Sequence, residues 1–270
     1  MKSIKYYLLL VILIIISSCN KTGSDSLVEE NSIAQSREFY QIKTYILNTE
    51  EQEQATDSYL KQAYLPGLKK IGVKHIGVFK PLLNAEDTLR KIIVLIPFSS
   101  MSQFITLEEE LSKDKNYLAS GKQYIDASYE QPPYVRIESI LLKAFEDMPV
   151  MKASKLNGLR SNRVYELRSY ESATESYFKN KVEMFNAGGE VKLFDQLGFN
   201  AVFFGEVISG AKMPNLMYLT TFSDKASRDA HWNTFSESPE WKEMSSMPKY
   251  QNNVSHADIT FLFPTEYSDY

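Results

Sequence analysis

The stretches FYQIKTY (39–45) and VYELRSY (164–170) are nearly the same seven residues written twice, about 125 positions apart. Side chains along a strand alternate between two faces, and both stretches follow that period of two. Tyr40, Ile42 and Thr44 share one face of the first copy, matched by Tyr165, Leu167 and Ser169 in the second. The other face carries Gln41, Lys43 and Tyr45, then Glu166, Arg168 and Tyr170. Each copy thus sets two polar residues and a tyrosine on one side of a sheet.

Around each copy the same order of elements follows. Thr49-Glu50-Glu51-Gln52 reads as a capping box, in which threonine and glutamine satisfy orphan N–H groups at a helix start. The helix runs towards Lys70, is interrupted near Pro66 and stops at Gly72. In the second half Ser172-Ala173-Thr174-Glu175 offers the box and Gly198 the stop. VKHIGVF (73–79) and FNAVFFGEVI (199–208) read as strands, as do KIIVLIPF (91–98) and LMYLTTF (216–222). Ser99-Ser100 and Ser223-Asp224 then cap further helical regions, about 100–126 and 224–249, each broken in the middle. YVRIESILL (134–142) and HADITFLF (256–263) close the two halves as strands.

The order β-α-β-β-α-β, met twice, is the ferredoxin-like plan of an α+β fold, with both helices on one face of a four-stranded sheet. The second sheet face then needs a cover, which two such units packed sheet to sheet provide. The expected organisation is a first ferredoxin-like domain over 38–145, a linker over 146–162 and a second domain over 163–270, closing as a barrel within one chain. A length of 270 residues suits two domains.

The start, MKSIKYYLLLVILIIISSCN, has a basic region (Lys2, Lys5), an apolar run from Tyr6 to Ile16 and small residues before Cys19. A run this short fits an export signal better than a membrane span, which needs about 20 apolar residues. Ile16-Ser17-Ser18-Cys19 resembles a bacterial lipobox, whose cysteine becomes the lipidated first residue; an ordinary signal peptide or an anchor helix are the other readings. Residues 1–18 are expected to be removed, with 19–37 as lipidated cysteine and polar tether and the body held at the bacterial cell envelope, on the periplasmic or outer-membrane side. The membrane is then a partner through the lipid anchor.

Cys19 is the only cysteine, so once lipidated it leaves the body no thiol for disulfides, thiolate catalysis or cysteine-ligated metal. The formal net charge is −4, and residues 1–18 carry two of the lysines, so the exported body is more acidic still. That argues against nucleic acid as a partner.

VYELRSY, GFNAVFFGEV (198–207), YLTTFSDKASRDAHW (218–232) and SPEW (238–241) together resemble the NIPSNAP family of the dimeric α/β-barrel superfamily. The resemblance covers about 163–264 well and about 38–145 more loosely, since the first half lacks an SPEW equivalent. It implies a ferredoxin-like unit that pairs through its sheet. It carries over no agreed catalytic signature, and the superfamily includes both cofactor-free monooxygenases and haem-handling enzymes.

The residues themselves offer several candidate sites. Glu166, Arg168 and Tyr170 form the best constellation, with Lys43 and Tyr45 in the repeat-related positions. If Tyr165, Leu167 and Ser169 pack against helices, this polar set faces the inter-sheet space, where charges must be paired. There it holds a polar ligand head or serves as a structural ion pair. His75 shares parity with Val73 and Phe79 and so is placed to face the cavity as a base or an axial haem ligand, or to act as a structural edge histidine. His256 and Asp258 share a strand face, while His231 sits beside Trp232 in a helix. No HExxH or CxxC pattern marks a metal site, and NAGGE (186–190) lacks the spacing of a phosphate loop.

The expected role is binding of a small, partly apolar ligand in or beside the inter-sheet cavity, with no catalytic activity that these residues define. The alternatives are a cofactor-independent or haem-dependent oxidoreductase of the superfamily, and an envelope protein-interaction module. A homo-oligomer of pseudo-dimers is left open.

Overall fold

The computed structural model describes residues 36–82, 89–157 and 159–270. The expected leader, Cys19 and nearly all of the expected tether lie outside the described residues. Strand β1 (Phe39–Leu47) leads into α1 (Glu50–Tyr59), a π-helical turn over Leu60–Tyr64, and α2 (Leu65–Lys70). Thr49 caps α1, its hydroxyl accepting from Gln52 N–H at 3.2 Å while Asn48 N–H donates to Gln52 Oε1 at 2.8 Å. The interruption expected near Pro66 is this π turn, with the proline in the first turn of α2. Gly72 ends the helix at φ +90°, a backbone that disfavours a side chain.

β2 (Gly77–Pro81), β3 (Arg90–Phe98), α3 (Met101–Lys113), α4 (Lys115–Ile125) and β4 (Arg136–Ala144) complete the first half. The second half repeats the order: β5 (Val164–Glu171), α5 (Glu175–Phe185), α6 (Glu190–Gln196), β6 (Ala201–Ser209), β7 (Asn215–Phe222), α7 (Lys225–Glu237), α8 (Pro239–Ser246) and β8 (His256–Pro264). Ser172 does not cap α5. Its hydroxyl donates to Asn253 O at 2.7 Å, and Thr174 takes the cap. In SPEW, Ser238 caps α8, accepting from Trp241 N–H at 3.3 Å, and Pro239 starts the helix.

The eight strands close into one antiparallel barrel in the order β1-β3-β2-β8-β5-β7-β6-β4. The halves do more than lie sheet on sheet: β2 pairs with β8 and β4 with β6, so each half's edge strands are completed by the other. Pairing the edges removes the unpaired backbone rows that an open sheet exposes. Inside, the first tyrosine of each repeated stretch crosses to the other half. Tyr40 packs on Phe203 with ring centroids 5.2 Å apart, and Tyr165 on Phe79 at 5.0 Å. Ile42, Leu95, Leu142, Leu167, Leu219 and Leu262 join them in a buried interior cluster.

This packing inverts the faces expected from the sequence. Tyr165 and Leu167 line the barrel, whereas Tyr170 packs with the second-half helices and Tyr45 with those of the first. Alternation fixes which residues share a face but not which layer the face meets. The choice follows from where donors are: Glu166 finds the Arg228 guanidinium and the Trp232 indole on α7, outside the barrel. His75 is not on a strand. It lies exposed in the loop before β2 at φ 57°, so it does not face the barrel interior. Among the described residues no helix is long and apolar enough to cross a membrane.

Candidate functional site

Beneath α7, on the helix-facing side of β5, the polar set of VYELRSY meets two residues four apart on one helix face, Arg228 and Trp232. Glu166 is fully buried and accepts four hydrogen bonds. Oε1 takes Arg168 Nε at 2.6 Å and Arg228 Nη2 at 2.8 Å; Oε2 takes Arg228 Nε at 2.7 Å and Trp232 Nε1 at 2.9 Å. Burial works to raise the Glu166 pKa, but the Arg228 hydrogen bonds, the Arg168 charge and the indole N–H outweigh it and hold the carboxyl below its usual range. A carboxylate so occupied is a poor base.

Arg168 is pinned on three sides. Its Nε donates to Glu166, its Nη1 donates to Tyr170 Oη at 2.6 Å, and its guanidinium lies 3.6 Å from the Trp232 ring centroid. Among the described residues Nη2 has no hydrogen-bond partner, and the side chain is 11% exposed. Tyr170 Oη lies 2.9 Å from Tyr218 Oη, whose ring is buried and whose pKa burial pushes well up. Further under the helices Lys181 and Glu190 form a second buried pair at 2.8 Å. Burial raises the Glu190 pKa, with the Lys181 charge opposing.

The repeat-related position in the first half is built differently. Gln41 stands where Glu166 stands and bonds Ser139 Oγ at 2.8 Å. Lys43 reaches Tyr64 Oη at 3.4 Å and has the largely exposed carboxylate of Glu108 at 3.8 Å, with Tyr45 beside it. The structure therefore gathers Glu166, Arg168 and Tyr170 at one site and Lys43 and Tyr45 at another, and leaves His75 apart. Sequence reasoning passed over Arg228, Trp232, Tyr218 and Tyr64. The i, i+4 spacing of Arg228 and Trp232 in a helix is the one signal that marked them in advance.

The three histidines do not supply a haem ligand. His75 is exposed in a loop, His231 Nδ1 bonds Ser227 O on its own helix at 2.6 Å, and His256 is exposed with Nε2 3.0 Å from Asp258 Oδ1. A haem needs its axial donor aimed into a pocket wide enough for the macrocycle, and none of these imidazoles is so placed. Glu171, His256 and Asp258 bring three ligand atoms within 4.8 Å, but Lys212 Nζ already sits 2.6 Å from Asp258 and 3.6 Å from Glu171. The chain supplies the cation there itself.

Residues 165–269 match the NIPSNAP family model. No curated protein matches the chain. Solved structures similar in fold include a candidate monooxygenase from Fusobacterium nucleatum subsp. nucleatum ATCC 25586, 10% identical, covering 85% of this chain and 93% of that one with a TM-score of 0.55. A candidate monooxygenase from Lactobacillus acidophilus NCFM is also 10% identical, covering 85% and 94% with a TM-score of 0.56. An anthrone oxidase-like protein, 10% identical, covers 86% and 93% with a TM-score of 0.50. The chain closes eight strands into one barrel and is NIPSNAP-like over residues 165–269.

The expectation of a binder without catalysis, holding an apolar ligand between the sheets, is corrected on two grounds. The inter-sheet space is packed with Tyr40, Phe79, Tyr165 and Phe203, and the three fold relatives named above, each spanning most of the chain, are described as a monooxygenase or oxidase type.

Glu166→Gln leaves two guanidiniums facing each other without their anion. Breaking a buried pair in this way costs about 3–5 kcal/mol. Because the folded pKa of Glu166 is depressed, its contribution is full above the unfolded carboxylate value and is lost as pH falls through the lower folded one. Urea unfolding at pH 7 is expected to show the large loss, and the gap between wild type and Glu166→Gln is expected to narrow in acid.

Proposed function

We propose that the protein is a cofactor-independent oxidoreductase of the dimeric α/β-barrel type, acting on an aromatic substrate that ionises at oxygen and reacts directly with dioxygen. The observation that carries this reading is Arg168: a cation fixed by Glu166, Tyr170 and Trp232, with Nη2 left without a partner among the described residues. A preorganised donor aimed at developing negative charge needs no reorganisation when that charge forms. An enolate or phenolate oxygen at Nη2 is held in its anionic form, and the anion reduces dioxygen more readily than the neutral ketone or phenol. The substrate's proton leaves through the half-buried Tyr170 hydroxyl, which adjoins Tyr218. Fold relatives described as a monooxygenase and an anthrone oxidase type support the class, and the placement of the histidines speaks for chemistry without haem. Two fused ferredoxin-like units are the architecture we infer, supported by the matching strand orders β4-β1-β3-β2 and β8-β5-β7-β6.

Oxygen uptake on addition of anthrone tests this. Wild type is expected to consume oxygen, and Arg168→Gln to lose about 10²–10³-fold in turnover, as when one oxyanion donor is removed, with Arg168→Lys intermediate. Unchanged turnover in Arg168→Gln contradicts the assignment.

The sequence around Cys19 supports a further proposal, that the body is exported and held at the envelope by a lipidated cysteine. Incorporation of labelled palmitate is expected in wild type and absent in Cys19→Ala. Equal labelling of both rules it out.

A further inference from the structure

The buried cation of the first half is unlike its counterpart in the second. Arg168 has a buried carboxylate, whereas Lys43 has Gln41 where Glu166 would be, and its only carboxylate within reach among the described residues is Glu108 on α3. Its remaining surroundings are aromatic. Lys43 Nζ lies 4.7 Å from the Tyr64 ring centroid and 5.7 Å from that of Tyr45, and its side chain is 13% exposed.

Tyr64 reaches this position through the π-helical turn Leu60–Tyr64. Residues five apart fall on one face only when a helix widens to i→i+5 bonding, a rare geometry concentrated at functional sites. The turn stacks Tyr64 on Tyr59 with centroids 5.6 Å apart; Tyr59 stacks in turn on Tyr124 at 3.9 Å and meets Tyr117 Oη on α4 at 2.8 Å. The amine is thus held in a nest of phenols, facing Tyr45 from its own strand, Tyr64 from the π turn and Glu108 from α3. Burial pushes its pKa down, and Glu108 opposes the shift.

We propose that Lys43 is a second reactive site, whose amine condenses with a small aldehyde or ketone. The lone pair of Nζ forms the C–N bond as the carbonyl pair moves to oxygen. Both protons of the amine then leave with that oxygen as water, so amine plus carbonyl gives imine plus water, with no oxidant or reductant. The Tyr64 hydroxyl, 3.4 Å from Nζ, is placed to relay one of these, taking a proton from the nitrogen as it gives its own to the departing oxygen.

Reductive methylation of the full chain with formaldehyde and cyanoborohydride reads this chemistry directly, because only an amine that forms the imine is reduced and retained. Peptide mass spectrometry across a pH series compares Lys43 with exposed Lys61 on the same turn. Lys43 is expected to reach half its maximal rate at lower pH than Lys61, and to carry an excess of label at pH 7 that disappears in strong alkali. Glu108→Gln, a change at an exposed side chain, is expected to move the Lys43 midpoint lower still and increase its label at pH 7. A Lys43 that labels no faster than Lys61 at every pH, or a midpoint that ignores Glu108→Gln, overturns the proposal.

Discussion

The Glu166 carboxylate is shut off from solvent, with four donors pointed at it from two elements far apart in sequence. A buried charge in this state is weak as a source of net stability, since the cost of desolvating it offsets much of the attraction. It is strong as a constraint on position. A shift of α7 by one residue would carry Arg228 and Trp232 off the face that meets β5 and leave the carboxylate stranded. The register of α7 on the sheet, the orientation of the Trp232 ring and the fixed guanidinium of Arg168 all follow from satisfying this one group.

The same requirement explains how far the sequence could be read. The alternation in FYQIKTY and VYELRSY, the caps at Thr49 and Ser100, and the glycine stops at Gly72 and Gly198 are local signals, and the strands and helices lie close to where they point. The polar trio Glu166, Arg168 and Tyr170 was legible as a group for the same reason. Which layer the trio faces was not, because period two is symmetric and the deciding partners sit 62 and 66 residues downstream on α7. A barrel within one chain was expected, but which edges meet, β2 on β8 and β4 on β6, was hidden for a related reason: strand patterning says nothing of edge partners. His75 misled because the strand begins at Gly77, four residues later than the VKHIGVF pattern suggests and past the histidine.

Two halves with one element order have put different chemistry at equivalent places. The second half pairs a permanent cation with a carboxylate and an indole. The first replaces the carboxylate with an amide and surrounds a titratable amine with phenols. The barrel interior is shared and apolar, with Tyr40 on Phe203 and Tyr165 on Phe79 locking each half to the other. Binding the halves through their inner faces and edges leaves the helix-covered outer faces free to diverge, and the divergence is concentrated there.

The clasp of Glu166 by Trp232 can be read by fluorescence. The chain has two tryptophans, so Trp241→Phe leaves Trp232 as the only indole emitter. Its emission, followed with far-UV circular dichroism as pH falls, should change in a step that lies below the ordinary carboxylate range, where Glu166 takes up its proton and the indole N–H loses its acceptor. In the Glu166→Gln, Trp241→Phe protein that step should be gone. An emission that stays flat through acid, or a step unaltered by Glu166→Gln, would contradict the placement of this carboxylate under α7.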